Sequence, residues 1–338
     1  MMRRLFLGFA LMLCAGRNVS RVSAQTTQQG PRTYWLVVTG LSGEAEYAVT
    51  YAGWAKRIAA AARTRFGAAQ VWWLAEKESD GVAATATRAS IEARLKEISK
   101  QATSEDALFV VLIGHGATAD GVSKFALPGP DLVPTDLALW LNGISARTTV
   151  INTASASGGW IAPLAAKGRV VVTATKSGVE QNETMFAQYF ADALTLDAAD
   201  TDKDDRVSVL EAFDFAKREV ERAYAADKKM LTEHAQIDGN GDGKAVAVAT
   251  PDSPDGAVAG LTHFGAAGSR TVAGTAAVPQ PPALRALYAE KTRLERQLSD
   301  LRARKADTPE AEYQTQLEKL LTDIAVNGQA IRKLEGGK

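Results

Sequence analysis

Cysteine is almost absent from this chain. Cys14 is the only one among 338 residues, and it lies in an N-terminal segment marked for removal. The processed protein therefore has no disulfide, no thiolate metal ligand and no thiol nucleophile. Histidine is nearly as scarce, with only His115, His234 and His263. No His-x-x-x-His spacing occurs, so a zinc site is excluded on donor count, and the isolated His234 and His263 read as surface or structural residues. Long apolar runs are missing too. The one at residues 5–15 is too short to span a bilayer. Arg3 and Arg4 precede it, and Val22, Ser23 and Ala24 close it with small residues, the pattern of a secretory signal at 1–24 cleaved after Ala24. A lipid attachment at Cys14 is disfavoured by the bulky Leu13 before it. The expected product is exported, periplasmic or secreted, with no membrane insertion after cleavage. A basic surplus is lacking as well. The chain has 39 basic and 39 acidic residues, and loss of the signal's four arginines leaves it acidic by four charges. That balance gives no electrostatic footing for nucleic-acid binding.

What remains is about 310 residues, enough for one sizeable core and an appendage. Short apolar runs at 33–38, 70–75, 107–113, 148–153 and 169–175 read as strands. They are nearly continuous in apolar residues, as strands buried on both faces are. Helical patterns at 44–66 and 87–101 lie between them, and another helix opens near Thr135, a plausible N-cap behind Pro134. This alternation predicts an α/β class protein, a three-layer α/β/α sandwich with a mostly parallel sheet. Ligands of such sheets bind beyond the carboxyl ends of the strands.

Residues 249–282 are dominated by Pro, Gly, Ala, Thr and Ser without a period, and read as a flexible linker that closes a domain at 32–248. Beyond it, Leu287, Leu294, Leu298 and Leu301 form a seam in which Lys291 takes one position. Leu317, Leu320, Ile324, Ile331 and Leu334 form a second seam, broken by Asn327. The spacing predicts a coiled-coil helical hairpin over 283–335. It serves either as an oligomer contact or as a hairpin folded back on its own domain.

Two strand ends carry chemistry. The third run delivers His115 between Gly114 and Gly116, and the fourth breaks into "NTASASGG" at 152–159. In a parallel sheet both emerge on one edge, where a base can meet a nucleophile. The "GHG" at 114–116, the "ASASG" at 154–158 and the strand order over 33–175 resemble the caspase-like clan of cysteine peptidases, closest to the legumain (C13) family. The matching stretch is somewhat under half of the chain. The resemblance implies that His115 is the general base, that Gly116 offers an N–H to the oxyanion, and that Ser155 sits where the family has its cysteine. Ser157 and Gly158 would complete the elbow, and residues 175–177 would flank a specificity pocket. Two departures stand out: Ser155 replaces the thiol, and Ser42 stands where the legumain-type asparagine orients the histidine. A hydroxyl needs stronger base assistance than a thiol and a well-placed oxyanion hole.

The most specific motif is "DTDKDDRVSVLE" at 200–211. Asp200, Asp202 and Asp204 occupy positions one, three and five of a calcium loop. The Arg206 carbonyl falls at seven, Ser208 at nine and Glu211 at twelve. Helical patterns flank the loop as in an EF-hand, and Ca2+ is the expected cofactor. Its departure is Asp205 at position six, where glycine is usual. A second loop begins at Asp238, with Asn240, Asp242 and Gly243, but has Ala249 at position twelve.

Three functions are compatible with these residues. One is an exported, calcium-stabilised pseudopeptidase that binds a peptide or protein. Another is an active serine-type endopeptidase using Ser155 and His115, and the third is an ordinary α/β domain in which His115 fills a turn.

Overall fold

The structure is a computed structural model that describes residues 31–265 and 281–335. The signal expected at 1–24 lies outside the described residues. From the first strand to the fourth helix the elements are β1 (Thr33–Thr39), α1 (Ala45–Thr64), β2 (Gln70–Ala75), β3 (Ala84–Thr85), α2 (Arg88–Gln101), β4 (Ala107–Ile113), β5 (Gly116–Ala119), β6 (Val122–Phe125), α3 (Pro134–Leu141), β7 (Arg147–Asn152) and α4 (Ile161–Leu164). They continue as β8 (Arg169–Thr173), α5 (Phe186–Thr195), α6 (Val209–Ala226), β9 (Gln236–Asp238), α7 (Pro254–Ala259), α8 (Pro282–Ala303) and α9 (Glu310–Glu335).

The five apolar runs all become strands of one seven-stranded sheet, ordered β3-β2-β1-β4-β7-β8-β9. Every pair is parallel except β8 with β9. The period of two then sends alternate residues to opposite layers. Trp35, Val37, Phe109 and Val111 face the layer of α1, α5 and α6, while Leu36, Val38, Val110 and Leu112 face that of α2, α3 and α4. This is the three-layer sandwich the alternation predicts. The chain leaves β1 toward β2 on one side and returns as β4 on the other, so a crevice opens beyond Thr39 and Ile113, which pair in register.

Two sequence expectations need correction. Thr135 is not a cap: Pro134 enters as the first helical residue and Val133 is the N-cap, because proline's missing N–H costs nothing there. Nor is the stretch from 249 onward a linker throughout. Residues 249–265 contain α7, and Phe264 is fully buried among Trp35, Phe66, Phe109 and Phe190, with ring centroids 5.0–5.8 Å away. An aperiodic segment can thus be fixed by one aromatic anchor. The remainder of the expected linker, 266–280, lies outside the described residues.

The helical hairpin folds back on the domain. Arg147 pairs with Asp300 at 2.7 Å and donates to the Arg296 carbonyl, and Leu294, Leu298 and Leu301 of α8 are buried. Asn327 of α9 sits in the seam and donates to the Leu287 carbonyl at 3.1 Å. Among the described residues no helix is long and apolar enough to cross a membrane.

Candidate functional site

The sheet's carboxyl edge brings His115 and Ser155 into one neighbourhood, as the topology requires, but it does not join them. Gly116 follows His115 and presses against the Ser155 backbone. A Cβ there would lie 2.1 Å from the Ser155 carbonyl oxygen, so only glycine fits. This close approach lets the Gly116 N–H donate to Ser155 Oγ at 3.0 Å while the Ser155 hydroxyl donates to the Gly116 carbonyl at 2.8 Å. Ser155 is buried, and its oxygen is locked in that exchange. The expected oxyanion donor is thereby consumed by the expected nucleophile.

Ala156, next in the chain, holds a left-handed φ of 55°, a strained elbow for a residue with a Cβ. Ser157 is structural: its Oγ accepts the N–H groups of Ala174 and Thr175 at the end of β8. The Gly158 N–H donates to Thr175 Oγ1 at 2.9 Å. Thr175 is fully buried, so it does not line a pocket as the resemblance implied, while Lys176 is exposed.

His115 has other partners. Nε2 lies 3.0 Å from the Ser42 carbonyl oxygen and Nδ1 lies 3.1 Å from Glu183 Oε2. Both neighbours are acceptors, so the arrangement fits an imidazolium that donates from both nitrogens. The hydrogen bond to Glu183 raises the pKa of His115 above its ordinary value, burial opposes it, and the Ser42 carbonyl adds to the rise. Tyr51 of α1 donates to Glu183 Oε1 at 2.6 Å, and burial with that carboxylate pushes its hydroxyl's pKa far up. Tyr47, one turn earlier, meets the His115 ring edge-on at 5.1 Å. Ser42 does orient the histidine, as its position implied, but through its main chain. Its side chain donates to Glu76 at 2.7 Å.

Sequence reading missed Glu183 and Tyr51. The pair Tyr47 and Tyr51 at i and i+4 on the helix after β1 was an available signal; Glu183 had none. Beside this cluster lies a cavity of about 410 Å³, lined among others by Ser42, Val49, Tyr51, Trp73 and Lys77. His234 pairs with Glu180 at 2.6 Å. The His263 side chain is about nine-tenths buried, and its pKa is pushed down to about 4 by burial first and by the Arg206 guanidinium second.

The loop at 200–211 gathers part of its expected ligand set. One carboxylate oxygen from each of Asp200, Asp202 and Asp204 lies within 4.8 Å of the others. Asp205 adopts the left-handed φ of 67° that its position demands, and its N–H donates to Asp200 Oδ2 at 3.1 Å. Ser208 and Glu211 do something else: they form the capping box of α6. Glu211 Oε1 accepts the N–H groups of Thr201 and Asp202, and Oε2 those of Ser208 and its hydroxyl. The side chain of Arg206 is engaged by Asp204 and by Glu295 of α8.

No known protein-family profile matches the chain, and no curated protein matches it. Solved structures do resemble it. The protein GSU0716 from Geobacter sulfurreducens is 14% identical with a TM-score of 0.42, over 62% of this chain and 93% of that one. The Drosophila initiator caspase Dronc is 8% identical with a TM-score of 0.40, over 70% and 92%. Caspase-1 from Spodoptera frugiperda is 12% identical with a TM-score of 0.40, over 68% and 95%. Likeness at these scores does not extend to chemistry.

Proposed function

We propose that this chain is an exported, non-catalytic relative of caspase-like peptidases that binds a peptide or protein at the carboxyl edge of its sheet. The observation that carries the reading is the double hydrogen bond between Ser155 Oγ and the backbone of Gly116, at 3.0 and 2.8 Å. A nucleophile must be near its base and leave the oxyanion donor open. Here the hydroxyl takes the donor, while both nitrogens of His115 address Ser42 and Glu183. The cavity beside Tyr51 and Trp73, mainly apolar in its walls, has the size to receive a side chain of a bound segment.

One observation favours the serine-type endopeptidase instead: the left-handed Ala156 directly after Ser155 gives the strained turn that presents nucleophiles in hydrolases. The two readings separate in one experiment. The protein is incubated with an unbiased peptide library, products are read by mass spectrometry, and Ser155→Ala is run in parallel. The recognition reading expects no cleavage that depends on Ser155. Cuts present in the wild type and absent in the variant would establish a peptidase.

A further inference from the structure

Asp200 carries an oxygen that nothing among the described residues satisfies. Its carboxylate is buried, Oδ2 accepts the Asp205 N–H, and Oδ1 is sealed from solvent without any donor. A buried charged oxygen left open is costly, and native structures rarely tolerate one without a partner. The loop around it offers more negative charge, since one carboxylate oxygen from each of Asp200, Asp202 and Asp204 lies within 4.8 Å of the others. Two oxygens bound to one Ca2+ at about 2.3–2.6 Å are separated by no more than about 5 Å. The three carboxylates are therefore near enough to one another to share one ion.

The same loop is wired to the C-terminal hairpin. Asp204 uses Oδ1 for the Arg206 N–H and Oδ2 for the Arg206 guanidinium, at 2.9 and 2.7 Å. The other edge of that guanidinium grips Glu295 of α8 through two bonds of 2.9 and 2.8 Å. Arg206 and Glu295 are both about nine-tenths buried, so this fork is shielded from screening by salt. Lys291 of α8 reaches the pair from outside, 3.8 Å from Asp204 and 3.7 Å from Glu295.

We infer that Asp200, Asp202 and Asp204 hold a single Ca2+ and that this ion clamps the hairpin to the domain through Arg206 and Glu295. The ion supplies the missing partner of Asp200, removes the mutual repulsion of the three carboxylates, and fixes the backbone from which Arg206 projects. An ordered Arg206 grips Glu295 better, and by reciprocity a docked α8 tightens the ion. This goes beyond the recognition role at the sheet's other edge and stands or falls separately from it.

The test uses the full chain stripped with a chelator. Calorimetry with CaCl2 should give one site with Kd on the order of 10⁻⁴ M. Hydrogen exchange of residues 282–303 should slow several-fold when the ion is added. Asp200→Asn, which keeps the shape, should weaken binding at least tenfold. Asp202→Asn, at an exposed position, should do the same and guards against a folding failure in the first variant. Glu295→Gln should reduce the protection of α8 by calcium and weaken binding by the matching factor. No heat up to about 10 mM, or Asp200→Asn and Asp202→Asn both binding like the wild type, would overturn the site. Binding with unchanged exchange in α8 would overturn the clamp.

Discussion

In the loop at 200–211 the first aspartate, Asp200, accepts the sixth-position N–H of Asp205 at 3.1 Å; in the loop at 238–249, Asp238 accepts that of Gly243 at 2.8 Å. The parallel continues along both loops. Asp202 and Asn240 accept the N–H groups of Asp204 and Asp242, and Asp204 and Asp242 those of Arg206 and Lys244. Left-handed residues occupy positions four and six in each, Lys203 and Asp205 in one, Gly241 and Gly243 in the other. Even the closing acid has a counterpart. Glu211 takes the N–H groups of the second and third residues in the first loop, and Asp255 of α7 takes those of Gly239 and Asn240 in the second.

The loops part at one atom. Asp238 Oδ1 accepts the Gly241 N–H at 2.7 Å, whereas Asp200 Oδ1 has no donor among the described residues. Glycine at position four lets the second loop tighten and serve its own charge. In the first, the strained Lys203 leaves that charge open and sends its ammonium to the Asp200 carbonyl at 2.6 Å. One backbone thus yields a closed turn or an open one according to what the chain itself can donate. The Ser155 elbow belongs with the closed kind.

The largest effect should come from breaking the closed loop. Asp255→Ala strips the acceptor from Gly239, which is buried, and from Asn240. Each buried N–H left unpaired costs about 1–3 kcal/mol, so the variant should lose about 2–4 kcal/mol in urea unfolding. Glu211→Ala should lose a comparable amount: water can replace the carboxylate at the exposed Thr201 and Asp202, but the buried Ser208 N–H is left without its acceptor. A negligible loss in either variant would show that the two acids are not counterparts.

Ser155→Ala tests whether the elbow is closed in the same sense. It removes the acceptor of the Gly116 N–H and one donor, and should cost about 1–2 kcal/mol. An unchanged stability would mean that the hydroxyl is not held by Gly116.

Calcium sharpens the contrast between the loops. At tenfold over Kd, a ligand specific to the folded state adds about 1.4 kcal/mol. That increment should survive Asp238→Asn and vanish in Asp200→Asn. A stoichiometry of two, or loss of the increment in Asp238→Asn, would break the distinction drawn from Oδ1.

These contrasts also show where the sequence was readable. The strands were legible because their burial on both faces leaves a continuous apolar run, and the edge that carries His115 and Ser155 followed from the strand order. The loop at 200–211 was legible because its residues are consecutive. Asp255 was not, because the acid that closes the second loop comes from α7, outside any twelve-residue window, and position twelve, Ala249, is a core residue. Phe264 was hidden by the low-complexity residues around it. Glu183 and Tyr51 find His115 across 68 and 64 positions of chain, and no local pattern announces such a partner.

The smallest predicted effect concerns that last cluster, which is closed around a charge rather than a neutral hydroxyl. Glu183 raises the pKa of His115 above its ordinary value of 6.5. A histidine whose folded value is raised contributes its stabilisation fully below the unfolded value, and loses it as pH climbs through the folded one. Unfolding free energy should therefore decline between about pH 6.5 and the raised value by an increment that Glu183→Gln, which keeps the shape and drops the charge, abolishes. Both side chains are about one-third exposed, so solvent screening should hold the increment below about 1 kcal/mol. If the variant keeps the wild-type slope, Glu183 does not govern the proton on His115. The imidazole would then be free to act as a base, which returns weight to the peptidase.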